Sequence, residues 1–100
     1  MKPIVVPVVL ALPLLALAPR QGANACVEVG GGSVWSGDGW THLVYVTDRC
    51  DRDVACDVST DVDPEEHHVS VARNETVLVV TATGSAARVF VPRVSCAAAP

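Results

Sequence analysis

Val54-Ala55-Cys56-Asp57-Val58-Ser59-Thr60-Asp61-Val62-Asp63 alternates in character at every step. Val54, Cys56, Val58, Thr60 and Val62 fall on one side, with Ala55, Asp57, Ser59, Asp61 and Asp63 on the other. A two-residue period is that of a strand with one face in a core and one in water. The segment therefore predicts a half-buried strand with Cys56 pointing inward.

Upstream, Trp40 to Thr47 reads Trp-Thr-His-Leu-Val-Tyr-Val-Thr, dense in the β-branched and aromatic residues that suit a pleated surface, and is expected to be a central strand. Before it, Cys26-Val27-Glu28-Val29 reads as a short first strand closed by Gly30-Gly31-Gly32, with Val34-Trp35 either continuing it or lying in a loop. Downstream, Pro64-Glu65-Glu66 marks a turn, His68 to Val71 a short strand, and Arg73-Asn74-Glu75 a hairpin connection. Thr76 to Thr83 follows. Its run Val77-Leu78-Val79-Val80 is apolar on both faces, which predicts a central, covered strand. Arg88 to Val94 reads as the last strand, interrupted or ended by Pro92, since proline belongs at sheet edges and bulges. No segment has a convincing helical period.

The fold class expected is all-β: a small antiparallel sandwich or partly open barrel of about five to seven short strands, stapled by disulfides. The immunoglobulin pattern does not fit, because both tryptophans, Trp35 and Trp40, precede Cys50.

Residues 1-25 read as a secretory signal peptide. Met1-Lys2 is a weakly positive start, Ile4 to Ala18 is apolar, and Ala23 and Ala25 are small residues before Cys26. Pro7, Pro13 and Arg20 leave the apolar run shorter than the roughly 20 residues of a membrane-spanning helix. Asn24 and Arg20 also argue against lipid attachment at Cys26. Residues 26-100 are then a single exported β domain, secreted or periplasmic. A bias to alanine, valine and arginine with a single lysine suggests a bacterial source.

A domain of this size buries only about 60 per cent of its unfolded surface and is marginal without staples. Cys26, Cys50, Cys56 and Cys96 provide them. Four cysteines permit three pairings. The start of one antiparallel strand lies beside the end of its neighbour, which favours Cys26 with Cys50 and Cys56 with Cys96; a bridge from Cys50 to Cys56 is the chief competitor. Zinc held by these cysteines is disfavoured, because such sites use pairs two to four residues apart and Cys50 and Cys56 are separated by five.

Without Lys2 and Arg20 the formal charge moves from −4 for the whole chain to −6. No basic stretch remains to neutralise nucleic-acid phosphates or to hold an anionic membrane, so neither is an expected partner. The carboxylates gather at two turns: Asp48, Asp51, Asp53 and Asp57, then Asp61, Asp63, Glu65 and Glu66. Asp61-Val62-Asp63-Pro64-Glu65 begins like a calcium loop, but Glu66 and Ala72 stand where glycine and a bidentate glutamate belong. Solvated turn carboxylates that keep the domain soluble are the expected reading, and no metal or cofactor is assigned.

His67 and His68 adjoin Glu65 and Glu66, but neighbouring strand residues face opposite ways and do not share a substrate. His42 is as readily a surface residue. No serine lies in a nucleophile-elbow pattern, so the chain is expected not to be an enzyme. Asn74-Glu75-Thr76 matches a glycosylation sequon, though a plain turn suffices. Trp35, Asp38 and Trp40 mark a Gly-rich loop flanked by aromatics, a common design for contacting an extracellular or cell-surface protein or a glycan. The expected function is that of a small secreted structural or protein-interaction module without catalysis. The alternatives are a secreted inhibitor of an extracellular enzyme and a weakly calcium-binding accessory domain.

Overall fold

The structure is a computed structural model, described over residues 25–100; the leader assigned to residues 1-25 lies almost wholly outside this range. Among the described residues six strands form: β1 (Val27–Trp35), β2 (Trp40–Asp48), β3 (Val54–Thr60), β4 (His67–Val71), β5 (Thr76–Ser85) and β6 (Pro92–Ala98). They make two three-stranded antiparallel sheets, ordered β1-β2-β5 and β4-β3-β6. The domain is thus a small β-sandwich, and β2 and β3 are the central strands of its two sheets.

Alternation decides which residues meet between the layers. On β2, His42, Val44, Val46 and Asp48 are buried; on β3, Val54, Cys56, Val58 and Thr60 are. With Val71, Val79, Cys50 and Cys96 they enclose a core whose apolar members are six valines and three half-cystines. These side chains are short. β-branched residues stack well on a pleated surface, but each contributes less buried area than leucine or phenylalanine.

The bridges are Cys26–Cys50 and Cys56–Cys96, the pairing favoured by strand ends. Each lies within one sheet. Cys26–Cys50 ties the start of β1 to the turn after β2, where the Arg49 N–H also donates to the Cys26 carbonyl at 3.0 Å. Cys56 and Cys96 are direct register partners on β3 and β6, with Cα atoms 4.1 Å apart.

Several expectations need correction. Gly30-Gly31-Gly32 does not close the first strand; β1 runs through it to Trp35. The glycines make room. A Cβ on Gly30 would lie 2.7 Å from the Tyr45 ring, and one on Gly31 would lie 3.1 Å from the Phe90 ring. Val77 to Val80 is not central: among the described residues β5 pairs only with β2, and Leu78 and Val80 lie on an outer face. β3 stops at Thr60, whose Oγ1 accepts the Asp63 N–H at 3.0 Å and turns the chain before Val62 can pair. The last strand begins at Pro92 instead of ending there, with Pro92 opposite Thr60 at an edge.

Arg73-Asn74-Glu75 is not a hairpin connection. It carries the chain from β4 in one sheet to β5 in the other. Asn74 adopts φ 68°, a left-handed conformation that asparagine tolerates better than most residues. Its N–H donates to the Asp48 carbonyl at 2.8 Å, and the Asp48 N–H to the Glu75 carbonyl at 2.9 Å. Asp48 itself is not a solvated turn carboxylate. It is fully buried, with Oδ1 accepting the Cys50 N–H at 2.8 Å, so it shapes the approach to the first disulfide.

Gly39 shows how closely the elements approach: a Cβ there would sit 2.4 to 2.8 Å from the Gly84 backbone. Gly32, by contrast, has only the Tyr45 hydroxyl near a would-be Cβ, at 3.9 Å. Gly39→Ala is expected to lower stability by about 1–3 kcal/mol in urea unfolding, as overpacking against backbone does, while Gly32→Ala is expected to be neutral or stabilising by up to about 1 kcal/mol.

Candidate functional site

Trp35 and Trp40 are paired at the last register position of the β1–β2 hairpin. Between them, Ser36 to Gly39 is a tight turn in which the Ser36 N–H donates to the Gly39 carbonyl at 2.9 Å. Gly37 has φ 93° and Asp38 does not have positive φ, the pattern of a two-residue turn with glycine first. The Ser36 and Thr41 hydroxyls hydrogen-bond at 2.6 Å beneath it. A short, bonded turn thus holds both indoles at a defined spacing.

The rings meet edge to face, with centroids 5.3 Å apart and planes at 71°. The Arg88 guanidinium lies 5.2 Å from the centre of the Trp40 ring, within the range of a cation–π contact. One step inward on the same side of β2, His42 stacks on Phe90 at 4.4 Å. His42 is fully buried and is not a surface residue. Its Nε2–H donates to the Ala87 carbonyl at 2.6 Å, while Nδ1 is buried with no hydrogen-bond partner among the described residues.

These contacts form a gradient: His42 enclosed, Phe90 and Trp40 partly covered, and Trp35 57% exposed. Asp38 sits exposed at the tip of the turn. The structure therefore brings Trp35 and Trp40 into contact and leaves Asp38 beside them. His42 was expected as readily at the surface, and Arg88 and Phe90 were not assigned to this site from sequence. They join the cluster because the segment between β5 and β6 crosses over the end of the sandwich, where the Ser33 hydroxyl donates to the Arg88 carbonyl at 2.5 Å. Only the irregular composition after Gly84-Ser85 hints at such a crossing.

The outer face of the β1-β2-β5 sheet adjoins this end. Val34, Tyr45, Leu78 and Val80 are each about half exposed there, with Tyr45 opposite Leu78 and Leu43 opposite Val80 in register. These side chains share the outer face of one sheet.

The acidic turns resolve into separate local contacts. Asp61 Oδ1 accepts the Val91 N–H at 2.7 Å, Asp63 Oδ1 the Glu65 N–H at 3.2 Å, and Asp53 Oδ1 the Arg73 N–H at 2.9 Å. Carboxylates committed to backbone groups in this way fix turns and do not gather around one centre. Asp57 differs. It lies directly opposite His68 in the β3–β4 register, in contact through Oδ1 and Nδ1, and Glu66 projects its carboxylate to the same place. His67 faces the other way, as alternation requires, toward the interior.

Comparison with family models, curated proteins and solved structures finds no match to the chain.

The gradient from enclosed to exposed rings implies different roles. Phe90→Ala, which uncovers His42, is expected to cost about 2–4 kcal/mol in urea unfolding. Trp35→Ala removes a mostly exposed ring and one edge-to-face contact, and is expected to cost about 1 kcal/mol or less.

Proposed function

We propose that the chain is a small secreted module, exported by the leader at residues 1-25, that binds an extracellular or cell-surface protein through its Trp35–Trp40 end and performs no catalysis. One observation carries this reading: Trp35 is mostly exposed yet held in place by Trp40, which Arg88 covers in turn. A rigid, exposed indole beside an arginine is costly to leave in water and loses little conformational freedom on binding. Tryptophan, tyrosine and arginine are the residue types that dominate protein interfaces when desolvated.

The adjoining face with Val34, Tyr45, Leu78 and Val80 favours a protein over a glycan, since its three aliphatic members, Val34, Leu78 and Val80, offer a sugar no hydrogen bonds. Exposed apolar patches of this kind are uncommon on free-standing domains and mark contact surfaces. The formal charge of −6 left after the leader is removed favours a partner with a basic rim. An extracellular enzyme is one such partner, which would make the module an inhibitor; the tight turn at Ser36 to Gly39 is the element that would enter its cleft.

The test is affinity capture with the disulfide-bonded domain, residues 26–100, immobilised in the extracellular fraction of the producing cells. The proposal expects a specific protein to be retained, with Trp35→Ala weakening its binding by about 30-fold or more, the effect of losing a hot spot of at least 2 kcal/mol. Arg52→Ala, far from the tryptophans in sequence and fully at the surface, should leave binding unchanged. Equal retention by the Trp35→Ala variant would contradict the proposal.

A further inference from the structure

The β3–β4 hairpin carries a group that the tryptophan end does not involve. Asp57 on β3 and His68 on β4 are direct cross-strand partners, and Glu66 enters from the loop just before β4. One oxygen from each carboxylate and one imidazole nitrogen lie within 4.8 Å of one another. All three residues are accessible, with the Asp57 side chain 46% exposed and that of His68 76% exposed. Among the described residues neither carboxylate is paired with an arginine.

We propose that Asp57, Glu66 and His68 bind a zinc-class divalent cation. The donor set discriminates among metals. Calcium takes six to eight oxygens, and magnesium prefers water and phosphate, so an imidazole with two carboxylates suits neither. Zinc is held by histidine nitrogen and carboxylate oxygen at about 2.0–2.2 Å, commonly through three protein ligands with a fourth position open. Its four-coordinate geometry places donors roughly 3.3 Å apart, close to the spacing here, where the three donor atoms all lie within 4.8 Å of one another. The backbone is already set, because two of the three ligands stand on paired strands and their separation is fixed by the register.

The surroundings support an open fourth position. Asp57 and Glu66 both line a cleft of about 350 Å³ that Ser59, beside Asp57 on β3, shares with Arg93 and Ser95 of β6. The cation would sit at the rim of this cleft, reachable from solvent. The cysteines do not compete for it, since all four are in disulfides. The alternative is that Asp57 and His68 form only an exposed ion pair, an arrangement worth about 0–1 kcal/mol that needs no metal. Glu66 is what the metal reading adds, since its carboxylate oxygen, within 4.8 Å of the other two donors, supplies the third protein ligand that the Asp57–His68 pair alone lacks.

Isothermal titration of the oxidised 26–100 domain with zinc chloride tests the proposal. One zinc per chain is expected at micromolar to tens-of-micromolar affinity, with calcium giving no heat. His68→Ala, Asp57→Ala and Glu66→Ala should each weaken zinc by at least the roughly 10- to 100-fold that even outer-shell partners of metal sites are worth. His67→Ala, whose ring faces the opposite way, should not. In proton NMR, zinc should shift the ring signals of His68 and leave those of the enclosed His42 in place. The variants lie at the surface, and an unchanged circular dichroism spectrum verifies their fold. Absence of binding at millimolar zinc, or binding that survives His68→Ala or Glu66→Ala, overturns the proposal.

Discussion

The buried bridge between Cys56 and Cys96 is the constraint on which the rest of the sandwich depends. It joins the central strand β3 to the last strand β6 at a point where both side chains face the core. The loop it closes spans 40 residues of sequence, against 24 for Cys26–Cys50. A chain this short, with a core of valines, has little apolar area to set against the entropy of ordering its backbone. Two bridges contribute about 2–4 kcal/mol each, comparable with the whole net stability of a small domain. They also act as hydrophobic filling, since the sulfurs take core positions that longer aliphatic side chains hold in larger sandwiches.

Covalent closure within each sheet has a further consequence for the surface. Because the core is small and stapled, the larger apolar side chains are not all drawn inside. Trp35, Tyr45, Leu78 and Val80 remain outside while valines fill the interior. The crossing segment between β5 and β6 covers only part of the open end, burying His42 under Phe90 and leaving Trp35 at the rim. The partly covered end and the apolar outer face are thus products of the same economy of core material. The far hairpin, β3–β4, is polar on its outer side and carries the Asp57, Glu66 and His68 donors.

Much of this was legible in the chain, and the failures have physical causes. The β-branched run from Trp40 identified the central strand β2, the alternation from Val54 identified β3 as a strand with one face in the core though not as central, and the rule of adjacent strand ends favoured the observed disulfide pairing. The same alternation places Asp48 on the buried side of β2, but grouping carboxylates by turn concealed it. The glycine triplet misled because glycine ordinarily punctuates a strand; here the missing side chains accommodate the rings of Tyr45 and Phe90, a fact held by residues far away in sequence. Val77 to Val80 looked doubly buried because hydrophobicity alone cannot distinguish a covered face from an exposed contact surface. The histidine-carboxylate group needed the β3–β4 register, in which Val58 opposite His67 brings Asp57 to His68. Counting outward from the turn at Asp61 to Glu66 would have found it.

The account is tested most directly by urea unfolding of the 26–100 domain at 25 °C, followed by far-ultraviolet circular dichroism with and without a reductant. It predicts a cooperative transition for the oxidised protein and, after reduction, loss of the β-sheet signal in the absence of urea or a midpoint lowered by more than half. An unchanged midpoint in protein whose four thiols are shown to be free would contradict it, because the valine core would then be sufficient without the bridges.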